Sequence, residues 1–263
     1  MPHESVFASP PAVLGHRGCG RGSVGGHPEN TLGSFLAAVE LGVDWVEVDV
    51  RRTRDDQLIV VHDPAGTDGV FYTDVTGDEA AARGALRVEE LLEALPAHVG
   101  VDFDLKTSLE DATVTRAATT AATLAAVTAR ESRRRPVLVT TFDPGGLAIV
   151  GELAPGVPRG LLTWTHFPIA HAVAAAGHLD VQVLAAHWGS LLPGDLAPQV
   201  VRRPLEYVVD VVHRSGREVL VWCPPPESVP QLLAAGVDAV CVDDVPDFLA
   251  AAVHARTSGT PRS

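Results

Sequence analysis

Eight short apolar, β-branched runs separated by helical stretches predict an α/β chain closed as a TIM (β/α)8 barrel, with a short hairpin and cap insertion after the second strand. Three observations carry this expectation. The 263-residue length suits a single barrel domain. The runs recur at residues 12–15, 45–50, 101–105, 137–141, 159–162, 181–185, 218–222 and 239–242, most of them followed by a stretch of helical periodicity. One connection, residues 51–57, is too short for a parallel crossover, which takes about ten residues or more. A doubly wound open sheet is the alternative for the same alternation.

The first run delivers His16 and Arg17 at its end, and Gly18 lets the chain turn sharply. Residues 31–41 read as the first helix, stopped by Gly42. The second run carries Glu47 and Asp49, which at i, i+2 face the same side of a strand. After the short turn, residues 58–61 return as an antiparallel arm that brings His62 opposite the Glu47/Asp49 region. The third run, Val101-Asp102-Phe103-Asp104-Leu105-Lys106, again places Asp104 and Lys106 on one side. Later helices are expected at 88–95, 112–130, 205–215 and 229–235. Residues 1–256 form one domain on this reading, and 257–263 a flexible C-terminal tail.

Composition excludes several functions. The net charge of −13, from 20 basic and 33 acidic residues, opposes general nucleic-acid binding and requires a local cation wherever an anion is bound. Three scattered cysteines make neither a disulfide framework nor a zinc motif and fit a reducing, cytoplasmic setting. No apolar segment is long enough for an integral membrane segment. Nineteen of the basic residues are Arg, and Lys106 is the sole Lys.

In a barrel, polar residues at the carboxyl ends of strands converge on one mouth. Glu47 and Asp49 sit among Val46, Val48 and Val50, where two unpaired anions would cost several kcal/mol. A cation is therefore expected beside them, and oxygen ligands without cysteine suit one divalent cation, Mg²⁺ or Ca²⁺. His16 and His62 end strands beside that site. His98, His171, His178, His213 and His254 fall in or beside helical stretches and are read as ordinary surface or core residues, Asp102 as a structural carboxylate; His27, His166 and His187 are left open.

The segments Gly15-His16-Arg17-Gly18, Pro28-Glu29-Asn30-Thr31, Gly42 to Val50 and Val60-Val61-His62-Asp63 together resemble the glycerophosphodiester phosphodiesterase family. Asp104-x-Lys106, Val139-Thr140-Thr141-Phe142, Val219-x-Val221-Trp222 and Gly236-Val237-Asp238-Ala239 with Asp243, Asp244 and Pro246 extend the likeness over most of the chain. The resemblance implies His16 and His62 as the acid–base pair, Glu47, Asp49 and Asp104 as metal ligands, Arg17 and Lys106 against the phosphate, and Trp222 at the alcohol end. Glu29 is assigned either to the site or to the backbone N–H groups opening the Thr31 helix. Asp104 stands where the family usually has Glu. The implied reaction is hydrolysis of a small phosphodiester, such as glycerophosphocholine or glycerophosphoethanolamine, to an alcohol and glycerol 3-phosphate. A lysophospholipase D-like activity, a metal-dependent barrel lyase or isomerase, and a non-catalytic phosphate-binding barrel are the alternatives. Only about 25 residues follow His62-Asp63 before the next helix, so a small cap and an open mouth are expected, with the Gly-rich loop 19–27 covering the other side.

Overall fold

A computed structural model describes residues 5–192 and 203–258. The strands are β1 (Ala12–His16), β2 (Ser23–Val24), β3 (His27–Pro28), β4 (Trp45–Arg52), β5 (Leu58–Val60), β6 (Leu86–Arg87), β7 (Gly100–Leu105), β8 (Val137–Thr141), β9 (Arg159–Thr163), β10 (Val183–His187), β11 (Glu218–Trp222) and β12 (Ala239–Val242). The helices are α1 (Leu32–Leu41), α2 (Gly77–Ala82), α3 (Val88–Ala94), α4 (Thr120–Glu131), α5 (Pro144–Leu153), α6 (Ile169–His178), α7 (Trp188–Leu191), α8 (Leu205–Arg214), α9 (Val229–Ala235) and α10 (Val245–Ser258).

Eight parallel strands close a barrel: β1, β4, β7, β8, β9, β10, β11 and β12, with β12 returning to β1. The closed ring settles the choice against an open doubly wound sheet. β5 pairs antiparallel with β4, Val50 opposite Val60, and β6 pairs antiparallel with β5. This is the expected hairpin arm, and its tip carries the small cap built from a 3₁₀ turn at Tyr72–Asp74 and α2. The loop after β1 forms the β2/β3 hairpin and is tied to the end of β12, Arg21 N donating to Asp243 O at 3.0 Å.

Strands buried on both faces read as continuous apolar runs, and β7 and β8 are buried throughout. Val46, Val48 and Val50 pack outward against helices, in a cluster that includes Phe35 and Leu91. Leu14, Leu138, Leu162, Val183 and Leu220 fill the barrel interior. Phe7 and Trp45 belong to the same interior cluster, their rings edge to face at 5.5 Å. Gly100 is required beside them, because any Cβ there would overlap the Trp45 indole.

Three sequence boundaries shift. The helix expected over 112–130 begins only at Thr120, preceded by 3₁₀ turns at Leu109–Thr113 and Arg116–Ala118. Asp111 Oδ1 accepts from Thr120 N at 2.8 Å and pairs with Arg52 Nη2 at 3.0 Å, pinning this segment as a loop, and the β-branched Thr113, Val114 and Thr115 oppose early helix nucleation. The sixth barrel strand runs over Val183–His187 rather than 181–185, because Asp180 turns at φ +50° and Val181 N closes onto Ala176 O. The last helix continues to Ser258, two residues into the expected tail; residues 259–263 lie outside the described residues, as does the side chain of His254.

Candidate active site

Strand register assembles the site. His16 on β1 stands beside Glu47 on β4, and Glu47 beside Asp102 on β7. One rung higher, Asp49 neighbours Asp104, and Asp104 neighbours Thr140. The i, i+2 spacing in β4 and β7 therefore puts four carboxylates inside the barrel in two adjacent rows. All four are buried.

Two cations answer them. Arg17 adopts φ +56° and Gly18 φ +101°, so the chain folds back after β1; Ser34 packs where a Gly18 Cβ would stand. That turn aims Arg17 N at Glu47 Oε2, 3.0 Å, and Arg17 Nε at Asp49 Oδ2, 3.1 Å. Lys106 Nζ lies 2.9 Å from Asp49 Oδ1 and also pairs with Asp104 Oδ2. Asn30 Nδ2 donates to Asp49 Oδ2 at 2.8 Å. Burial alone would raise Asp49, but Lys106, Arg17 and Asn30 together hold it at about 2. Glu47 has no such pair of cations, and burial followed by repulsion from Asp49 and Asp104 pushes it well above the usual carboxylate range. Asp104 is raised by burial and by Asp49 against the pull of Lys106. Burial would lower Lys106, yet Asp104, Asp49 and Glu47 raise it; it is a fixed ammonium.

The donor chemistry fits a hard divalent ion. One oxygen each of Glu47, Asp49 and Asp104 lie within 4.8 Å of one another, and Glu47 Oε1 and Asp104 Oδ1 are buried without a hydrogen-bond partner. The structure thus brings the three expected ligands together, and the shorter Asp104 reaches the cluster.

His16 Nδ1 is 2.5 Å from Asp243 Oδ1, while its Nε2 faces Glu47 Oε2 at 3.8 Å. His62, half-exposed, contacts Asp63 Oδ1 through Nδ1 at 2.8 Å, and Arg51 Nε holds its backbone carbonyl at 2.8 Å. Both histidines line one cavity of about 210 Å³, together with Arg17, Glu47, Asp104, Lys106 and Trp222.

Some assignments change. Glu29 does not cap the Thr31 helix; Thr31 does that itself, accepting from Ser34 N at 3.3 Å. Glu29 Oε1 instead takes Arg17 Nη1 at 2.6 Å, and its other oxygen takes the Gly22 N–H, so it orients Arg17. Cys223 and Cys241 lie on the cavity wall. Asp102 keeps its structural reading: burial raises it well above the usual range, and it accepts from Thr140 Oγ1 at 2.9 Å. Sequence reasoning missed Asp243, although the end of a barrel strand marks it, and Asn30, which the Pro-Glu-Asn-Thr segment contained. It also missed the aromatic wall. Phe142 stacks on Trp164 at 4.0 Å and meets Trp222 edge-on at 6.0 Å, and His187 packs on Trp222 at 4.4 Å. Of the open histidines, His27 lies in β3 and His166 bonds Gly189 O at 3.1 Å, away from the carboxylates; His213 pairs with Asp238 at 2.8 Å outside the site.

The profile of the glycerophosphoryl diester phosphodiesterase family matches residues 16–246. The chain belongs to that family. It is a phosphoric diester hydrolase of the glycerophosphodiester phosphodiesterase type, and the family match sets aside the lyase and the non-catalytic barrel. A glycerophosphodiester phosphodiesterase of Caldanaerobacter subterraneus is 24% identical over 247 residues, covering 88% of this chain and 93% of its own. An uncharacterized protein of Bacillus subtilis is 27% identical over 243 residues, covering 85% and 92%. Among solved structures, a phosphodiesterase of Oleispira antarctica in complex with the product sn-glycerol-3-phosphate superposes with a TM-score of 0.72 at 22% identity, covering 94% of this chain and 99% of its own. The Oleispira structure shares the fold. Among the described residues no helix is long and apolar enough to cross a membrane.

Proposed function

We propose that the enzyme hydrolyses small glycerophosphodiesters, such as glycerophosphocholine or glycerophosphoethanolamine, to an alcohol and glycerol 3-phosphate, using His16 and His62 for proton transfer beside one divalent cation. The observation that carries this reading is a single cavity walled by two imidazoles, two fixed cations and the buried acidic cluster. The product named for the Oleispira structure supports the same substrate class.

Glu47, Asp49 and Asp104 would hold the cation, Mg²⁺ or Ca²⁺, which neutralises charge gathering on the phosphate oxygens. Arg17 and Lys106 supply fixed positive charge for the same purpose, in a chain whose net charge is −13. Each histidine has its Nδ1 against a carboxylate, Asp243 for His16 and Asp63 for His62. With the proton of the neutral ring held at Nδ1, Nε2 of each ring is left to exchange a proton with substrate. One ring takes the proton of the attacking hydroxyl and the other returns one to the leaving alkoxide. Trp222 closes the alcohol end. The three thiols are free, which fits a reducing compartment such as the cytoplasm.

A second reading, hydrolysis of a lysolipid diester, has its own observation. A groove of about 400 Å³ adjoins the site at Lys106 and is lined by Phe71, Tyr72 and Leu109, of which Phe71 and Leu109 are exposed.

Glycerol 3-phosphate release from several head-group diesters, measured with EDTA and after adding Mg²⁺ or Ca²⁺, tests the first reading, and choline release from lysophosphatidylcholine set against that from glycerophosphocholine tests the second. Activity abolished by EDTA and restored by one of the two ions is expected. Full turnover in EDTA would overturn the metal assignment, and faster turnover of lysophosphatidylcholine than of glycerophosphocholine would move the substrate class to lipids.

A further inference from the structure

We propose that His16, Cys223 and Asp243 form a second metal site, for a thiophilic divalent cation such as Zn²⁺, and that filling it switches catalysis off. Their ligand atoms lie within 4.8 Å of one another, and they come from the ends of three adjacent strands, β11, β12 and β1. Cys223 Sγ is 3.3 Å from Asp243 Oδ1 and 3.8 Å from His16 Nδ1, and the latter two atoms are 2.5 Å apart. Zinc bonds of about 2.3 Å to sulfur and about 2.0–2.1 Å to nitrogen or oxygen give tetrahedral edges of about 3.5 Å. The two edges through sulfur already match. The third needs Asp243 to part from His16 by about 0.9 Å, and Asp243 is 37% exposed at the mouth, so it has room to swing.

The donor set separates this site from the catalytic one. Glu47, Asp49 and Asp104 offer only oxygens and suit hard ions, whereas a thiolate with an imidazole selects zinc-like ions. The ion displaces one proton, the Cys223 S–H, to solvent, while the His16 ring keeps its single proton, which leaves Nδ1 for Nε2 by exchange with water. The ion's fourth position is left for water. Once Nδ1 of His16 is metallated, the proton of the neutral ring belongs on Nε2, the nitrogen that faces Glu47. That nitrogen then donates and no longer accepts. The switch rests on the proposed role of His16; the binding rests on the cluster geometry alone.

Co²⁺ titrated into the Mg²⁺- or Ca²⁺-saturated enzyme should produce a sulfur-to-cobalt charge-transfer band at one equivalent, absent in Cys223→Ser and Cys223→Ala. Zn²⁺ should inhibit glycerol 3-phosphate release by the Mg²⁺- or Ca²⁺-loaded enzyme, and both variants, each measured against its own turnover without Zn²⁺, should need at least about tenfold more Zn²⁺. Asp243→Asn should weaken the cobalt band. A band that persists without the Cys223 thiol, or no band at all, overturns the site, even where His16→Ala is inactive. A Cys223-dependent band with undiminished turnover overturns the switch and removes His16 from proton transfer.

Discussion

The two halves of the barrel mouth occupy equivalent positions and carry opposite chemistry. β1, β4 and β7 end in His16, Arg17, Glu47, Asp49, Asp104 and Lys106, all drawn together by buried ionic contacts. The four strands from β8 to β11 end in or run into Phe142, Trp164, His187 and Trp222, a stacked aromatic wall. On the proposed function the barrel divides one reaction between its sides, with charge for the attack on phosphorus and flat apolar surface for the alcohol. Because each side is anchored on its own strands, the two should respond differently to mutation.

The largest contrast concerns turnover. His16→Ala and His62→Ala should each lower kcat by about 10²–10⁴-fold while Mg²⁺ or Ca²⁺ still binds in calorimetry; near-normal kcat in either would remove that ring from the mechanism. Next comes stability on the charged side. Asp49 is fully buried between Arg17 and Lys106, so Asp49→Asn takes away the carboxylate they share, leaving Lys106 to Asp104 and Arg17 to Glu29, and should cost about 3 kcal/mol in urea unfolding. An unchanged midpoint would show that the charged half is held by something else.

On the aromatic side the titrating group is His187. Its Nδ1 accepts from Gly189 N at 3.0 Å, and burial followed by His166 lowers its pKa from 6.5 to about 4. The fold thus prefers the neutral ring and the unfolded chain binds the proton more readily. Stability from this residue is complete above about 6.5 and is lost as pH falls from 6.5 toward 4, at most about 3 kcal/mol. His187→Asn should flatten the stability profile across that window, read by urea unfolding at pH 7, 5.5 and 4.5. The smallest effect is expected at Trp164, which is exposed at the rim and stacked on Phe142. Trp164→Ala should raise KM for glycerophosphocholine by about fivefold, worth about 1 kcal/mol, with kcat almost unchanged. A kcat loss would mean that the wall positions the reacting phosphate as well as the alcohol.

The same division explains what the sequence disclosed. The charged half was legible because carboxylates among valines demand a partner, and because the i, i+2 spacing of Glu47/Asp49 and of Asp104/Lys106 fixes which way they face. The hairpin arm was legible from loop length alone. The aromatic half was not, apart from Trp222: Phe142, Trp164 and His187 follow apolar strands, where large rings are ordinary core residues, and only the closed ring brings them together. Asp243 escaped for a related reason, since an Asp-Asp pair before a helix reads as a cap, and Asp244 Oδ1 does accept from Asp247 N at 2.9 Å. The delayed start of α4 was hidden in a long-range contact, Asp111 with Arg52, that no local pattern contains.

The contact between His16 and Asp243 spans 227 positions of the chain. During synthesis the first barrel strand leaves the ribosome long before the eighth, so the imidazole emerges without the carboxylate that orients it. A nascent chain has Arg17, Glu47, Asp49, Asp104 and both histidines well before Asp243 is made. On the proposed mechanism hydrolysis waits for the seam between the earliest and latest strands to zip shut, so turnover would serve as a clock for completion of the ring.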